Sequence, residues 1–108
     1  MNACDALLFT SNWEGSPNVI KESLACNLPI VSTHVGDVHE RLKGIKGCVV
    51  CPSDEPDVMA AALATLLRHG ERTNGRSAVL DLDENRLAQR MVGVYQRALL
   101  KTPRARCA

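Results

Sequence analysis

Three short apolar runs punctuate the first half of the chain: Asp5-Ala6-Leu7-Leu8-Phe9-Thr10, Pro29-Ile30-Val31-Ser32-Thr33 and Gly47-Cys48-Val49-Val50-Cys51. Continuous apolar runs of this length predict strands buried on both faces, as in a parallel sheet. Between the first two, Val19, Ile20, Ser23, Leu24 and Cys26 recur at helical spacing behind Pro17, whose fixed φ suits a first helical turn. Asn27, tolerant of the left-handed conformation, stands where that helix should end. Val38 to Leu42 predicts a short helix in the second crossover, followed by a turn at Gly44 and Gly47. After the third run, Pro52 to Pro56 reads as a helix start. Val58, Ala61, Ala62, Leu63, Leu66 and Leu67 then give Pro56 to Arg68 an amphipathic spacing, ended by Gly70. Glu71 to Ser77 is turn-rich and polar. A last helix is expected from Asp83 or Glu84 to about Leu100, with Leu87, Met91, Val94, Tyr95 and Ala98 on one face. The tail Lys101 to Ala108 is basic and proline-containing and is expected to fray.

Strands alternating with helices at this spacing predict an α/β fold: a partial Rossmann-like unit with about three parallel strands, flanking helices and right-handed crossovers. A doubly wound domain ordinarily has five or six strands. The expectation is therefore a single truncated domain over 1–108, with sheet edges that a partner chain or a second copy would cover.

Composition narrows the partners. Thirteen Lys and Arg against twelve Asp and Glu leave a formal charge of +1, too little to collect nucleic acid, and one Trp, one Tyr and one Phe give no stacking platform for single strands. No apolar run spans a bilayer and no secretion signal opens the chain, so a cytoplasmic protein is expected. The five cysteines, Cys4, Cys26, Cys48, Cys51 and Cys107, are odd in number and irregularly spaced, which predicts free thiols. Cys48 and Cys51 have C-x-x-C spacing, but residues three apart in a strand point to opposite faces, so a shared metal is not expected.

The stretch Ser11-Asn12-Trp13-Glu14-Gly15-Ser16-Pro17-Asn18-Val19-Ile20-Lys21-Glu22 joins the carboxyl end of the first strand to the next helix, where open α/β sheets bind ligands. Backbone N–H groups of Gly15 to Asn18 and the helix macrodipole would favour an anion there, most naturally phosphate. Gly15 allows close approach or an unusual dihedral, and Pro17 shapes the turn without an N–H. Glu14 and Glu22 flank the turn, and carboxylates accept hydrogen bonds from sugar and ribose hydroxyls. On the residues alone, a helix-capping Glu14 and a solvated Glu22 account for the pair equally well.

The same stretch, continued through Ser23-Leu24-Ala25-Cys26-Asn27-Leu28-Pro29-Ile30-Val31 to Val35-Gly36-Asp37, resembles the E-x7-E region of the retaining GT-B glycosyltransferases of group 1, or family 4. The likeness is close from Asp5 to Leu42 and loose beyond. It implies Glu14 as the donor-sugar contact, Gly15, Ser16, Pro17, Asn18 and Val19 as the phosphate-facing turn, and Glu22 as the ribose contact. It also implies a nucleoside diphosphate sugar as substrate, with no cofactor and no metal. Ser23 and Asn27 stand where Ala and Gly are common, and Gly36-Asp37 follows one of the family's variants.

Enzymes of that kind take their acceptor site, a catalytic His and a cationic Arg and Lys pair from segments ahead of this region, for which the chain offers no counterpart. The resemblance thus implies a donor-binding part that needs a missing N-terminal acceptor domain or a complementary chain and is inactive alone. It also implies that the last helix crosses back to brace the first domain; packing on the sheet is the simpler alternative. His34 and His39, after the second strand, read as surface histidines.

Overall fold

The computed structural model describes residues 1–101; the tail 102–108, with Cys107, lies outside them. The chain runs β1 (Leu7–Phe9), α1 (Asn18–Ala25), β2 (Ile30–Ser32), α2 (Val38–Leu42), β3 (Cys48–Val50), α3 (Pro56–His69), a 3-10 segment (Gly75–Leu82) and α4 (Glu84–Lys101). The strands form one parallel sheet in the order β1-β2-β3, in the register Leu7, Ile30, Cys48 and Leu8, Val31, Val49. This is the expected partial Rossmann-like α/β arrangement.

The alternation along the strands divides the core in two. Ile30, with Leu7, Phe9, Cys48 and Val50, faces Ile20 and Leu24 of α1 and Val38 and Leu42 of α2. Val31 and Cys51 face Met59 and Leu66 of α3. Cys48 and Cys51 therefore lie in different layers, as the strand geometry requires, and both are free thiols. Burial pushes the Cys48 thiol up to about 11, an effect only partly offset by the backbone N–H of Ile30, and raises Cys51 as well.

Burial on both faces holds only for the central strand. β2 is buried throughout, whereas Leu8 and Val49 are 44% and 40% exposed, because β1 and β3 are the two edges and α3 packs over Val31 and Cys51. An apolar run marks a strand; it does not say whether a helix covers both sides of it.

The end of α1 is fixed by a Schellman motif. The N–H of Leu28 donates to the Ser23 carbonyl and that of Asn27 to Leu24, with Asn27 in the left-handed region at φ 52°. Asn27 also accepts from the Arg76 amide through its side chain and from the Thr73 amide through its carbonyl. These bonds pin the stretch after α3 against α1, and there it coils. The polar segment that reads as turns over Glu71–Ser77 becomes a 3-10 segment from Gly75, docked on Leu24.

α4 leaves the body of the molecule. It touches the rest mainly through the 3-10 segment, and the structure measures 68 × 25 × 22 Å with a radius of gyration of 18.7 Å. A compact chain of this length would have about 13 Å. Leu87, Met91, Val94 and Tyr95 lie along one exposed face, so packing of α4 on the sheet is not observed.

Candidate functional site

The loops that follow β1 and β2 meet at the carboxyl edge of the sheet, where adjacent parallel strands deliver them side by side. Four hydrogen bonds zip them together. The amide of Thr33 donates to the Phe9 carbonyl at 3.1 Å, and its hydroxyl donates to the Ser11 carbonyl. The amide of Asp37 donates to the Gly15 carbonyl at 2.9 Å, and the Ser16 hydroxyl donates to Asp37 Oδ2 at 2.7 Å. Gly36 makes this approach possible. Its φ is +53°, and a Cβ there would overlap the Gly15 carbonyl oxygen and sit 2.8 Å from that of Glu14.

Held in this way, the turn presents an uncapped helix start. α1 begins at Asn18 with Pro17 as its N-cap, one position earlier than the expected first-turn proline, and no side chain caps its amides. Pro17 is buried, while Gly15, Ser16 and Asn18 are exposed and Val19 is half-buried. The first amides of a helix have no partner inside it, so these remain free for an anion. Gly15 needs no unusual dihedral: its φ is not positive, and a Cβ there would meet nothing within 4 Å. Of the two roles its sequence position suggests, the unusual dihedral is not used.

Glu14 does not cap the helix, which removes that alternative. It is exposed on the loop and accepts from the Ser11 hydroxyl at 3.1 Å. Trp13, the single tryptophan, precedes it at 92% exposure. Glu22 is exposed on α1 and lines a shallow cleft of about 490 Å³ between α1 and the 3-10 segment, together with Lys21, Arg76 and Arg86.

Lys21 supplies a cation that sequence reasoning had not placed at the turn. Its Nζ donates to the Ser16 carbonyl at 3.1 Å and to Asn18 Oδ1 at 3.3 Å. Helical side chains lean toward the N-terminus, so a lysine in the first turn of α1 is positioned to reach back over the loop; that lean is the signal that could have found it.

Asp37 is the most heavily engaged acid. Burial alone would raise its pKa, but the Ser16 hydroxyl, the Arg41 guanidinium and the Lys21 ammonium together hold it below the ordinary carboxylate range. Arg41 Nε lies 2.9 Å from Oδ2. His34 and His39 are both exposed, their rings 5.3 Å apart. Among the described residues no three His, Cys, Asp or Glu gather as they would to hold a metal ion.

A larger groove, about 660 Å³, opens between Val49 on the edge strand β3 and Ala62 and Leu66 of α3. Its lining is mainly apolar, though it includes Lys46, Glu71 and Arg72, and His69 at the C-terminal end of α3. A helix C-terminus carries the negative pole of the macrodipole and disfavours a phosphate. The exposed turn at the start of α1, with its uncapped amides, is the better candidate for an anionic ligand.

The parallel sheet and the exposed, uncapped helix start at its carboxyl edge together describe an open-sheet α/β protein. The family model described as Glycosyl transferases group 1 matches residues 1–69, a span that contains the whole of this site, and the chain belongs to that family. Comparison with curated proteins and with solved structures finds no match. The family makes the chain a transferase domain concerned with glycosyl transfer. No helix among the described residues is long and apolar enough to cross a membrane.

Proposed function

We propose that the chain is the donor-binding part of a retaining GT-B glycosyltransferase of family 4, and that it receives a nucleoside diphosphate sugar at the start of α1. The observation that carries this reading is the uncapped N-terminus of α1 at the carboxyl edge of the sheet, with Glu14 before it and Glu22 after it in sequence. The diphosphate lies against the amides of Gly15, Ser16, Asn18 and Val19, with Pro17 shaping the turn. Glu14 accepts from hydroxyls of the sugar and Glu22 from the ribose. Lys21, tethered over the turn, offsets part of the charge that develops when the diphosphate leaves, together with the helix dipole. The site calls for no metal and no further cofactor, and the setting is cytoplasmic.

The acceptor site and the remaining catalytic groups come from an N-terminal acceptor domain or a complementary chain. Two observations support this partner: the apolar stripe of α4 and the open faces at Leu8 and Val49, which such a domain would cover. The same exposed surfaces favour a second reading, a non-catalytic nucleotide-binding module that self-associates through its open sheet edges.

Calorimetric titration of the chain with UDP and GDP, repeated on Glu22→Ala, tests the first reading. Binding that the substitution weakens by about 1 kcal/mol or more, the scale of a hydrogen bond to a charged group, is the expected outcome. A folded chain that binds neither nucleotide contradicts it.

A further inference from the structure

We infer that the Gly36–Asp37 loop sets the diphosphate turn, with Asp37 as a positioning residue that fixes the Gly15–Ser16 peptide and holds the Ser16 side chain off the start of α1. The inference rests on the donor-site reading above and adds a component to it.

Asp37 stands at the N-cap of α2, where an aspartate ordinarily accepts from the first free amides of its helix. Here its side chain makes no cap hydrogen bond and turns instead to the Ser16 hydroxyl of the neighbouring loop, 21 residues away in sequence. Its second oxygen, Oδ1, is buried without a partner. A residue that gives up its own helix cap and leaves an acceptor unpaired is serving the other loop.

The backbone bond explains what that service achieves. In a planar trans peptide the carbonyl of one residue and the N–H of the next point in opposite directions. The Gly15 carbonyl is anchored on the Asp37 amide, so the Ser16 N–H is turned away from the α2 loop, toward the open side of the turn. Ser16, the short polar side chain just ahead of α1, is committed to Asp37 and leaves the first amides of the helix uncapped. A carboxylate this close to a diphosphate would repel it, but Arg41 stands on the same oxygen and neutralises it. The arrangement combines a charge-assisted hydrogen bond with little net charge facing the ligand.

The test is calorimetric titration with UDP or GDP and with the matching monophosphate, on Asp37→Ala, Ser16→Ala, the double variant and Asp37→Asn, with Glu22→Ala as reference. Each single alanine variant is expected to weaken diphosphate binding about tenfold, the loss of one charge-assisted hydrogen bond. The monophosphate should lose less, the double variant should lose no more than either single one, and Asp37→Asn, which keeps an acceptor for Ser16, should recover most of the affinity. Should Asp37→Ala fail to fold, Ser16→Ala carries the test, since its side chain is exposed. Equal losses for mono- and diphosphate, or additive losses in the double variant, overturn the positioning role. Unchanged binding in Asp37→Ala alongside weakened binding in Glu22→Ala overturns this inference and leaves the donor site standing. A wild-type chain that binds no nucleotide overturns both.

Discussion

Replacing Gly36 with alanine tests the contact between the two loops through stability alone. The substitution places a side chain at φ +53°, a left-handed conformation that costs an L-residue about 1–2 kcal/mol. The new Cβ also overlaps the Gly15 carbonyl oxygen and crowds that of Glu14. Both obstacles are backbone atoms and cannot rotate away, so the loops must part. Parting them breaks the hydrogen bond from the Asp37 amide, worth about 0.5–1.5 kcal/mol, which brings the expected total to about 1.5–3.5 kcal/mol. Gly44→Ala is the matched control: φ is +77°, but nothing lies within 4 Å of the new Cβ, so only the backbone cost of about 1–2 kcal/mol applies. In urea unfolding, with a slope of about 1 kcal/mol/M for a small domain, the two midpoints should differ by about 0.5–1.5 M. Equal midpoints would refute the argument that the Gly36 contact, rather than its dihedral, is what the fold requires.

Ser23 is fully buried, and its hydroxyl meets only the Met1 sulfur at 3.6 Å, so Ser23→Ala is expected to leave stability unchanged or raise it by up to about 1 kcal/mol in the same assay. Asp37 has a depressed pKa in the fold, so its contribution is fully present above the unfolded value near 3.9 and is lost as pH falls through the folded value. The stability difference between wild type and Asp37→Asn should thus be constant above about pH 5 and shrink below about pH 4, as urea unfolding at a series of pH values would record. Cys48 and Cys51, buried and raised in pKa, should resist alkylation at pH 8 while exposed Cys4 reacts, as peptide mapping would resolve. Lys21→Gln should leave the unfolding midpoint in place and weaken nucleoside diphosphate binding by about 1 kcal/mol, an effect that titration at low and high salt would show to be electrostatic.

Much of this structure was legible from the sequence because its signals are local. The three apolar runs, the helical spacing around Ile20 and Leu24, the left-handed residue at Asn27 and the stop at Gly70 each act within a few residues, and each stands where it was read. What escaped depends on neighbours in space. Leu8 and Val49 belong to apolar runs but are edge positions, and nothing in a run says which strand lies in the middle. The 3-10 segment forms because the Asn27 side chain catches the Arg76 amide from 49 residues away. At the site, the turn and its acids could be read from one stretch of chain, but the clamp from Asp37 joins two stretches 21 residues apart, and Lys21 enters only through the direction in which helical side chains lean. α4 shows the same limit from the other side. Its apolar face follows from spacing, while the exposure of that face does not.

The central claim is that the turn from Gly15 to Val19 receives the diphosphate, and amide chemical-shift mapping of the labelled chain during titration with UDP and GDP tests it most directly. The account predicts that the largest shifts fall on the amides of Gly15, Ser16, Asn18 and Val19, with the Trp13 indole beside them. Shifts centred instead on Val49, Ala62 and Leu66, in the apolar groove between β3 and α3, would contradict it.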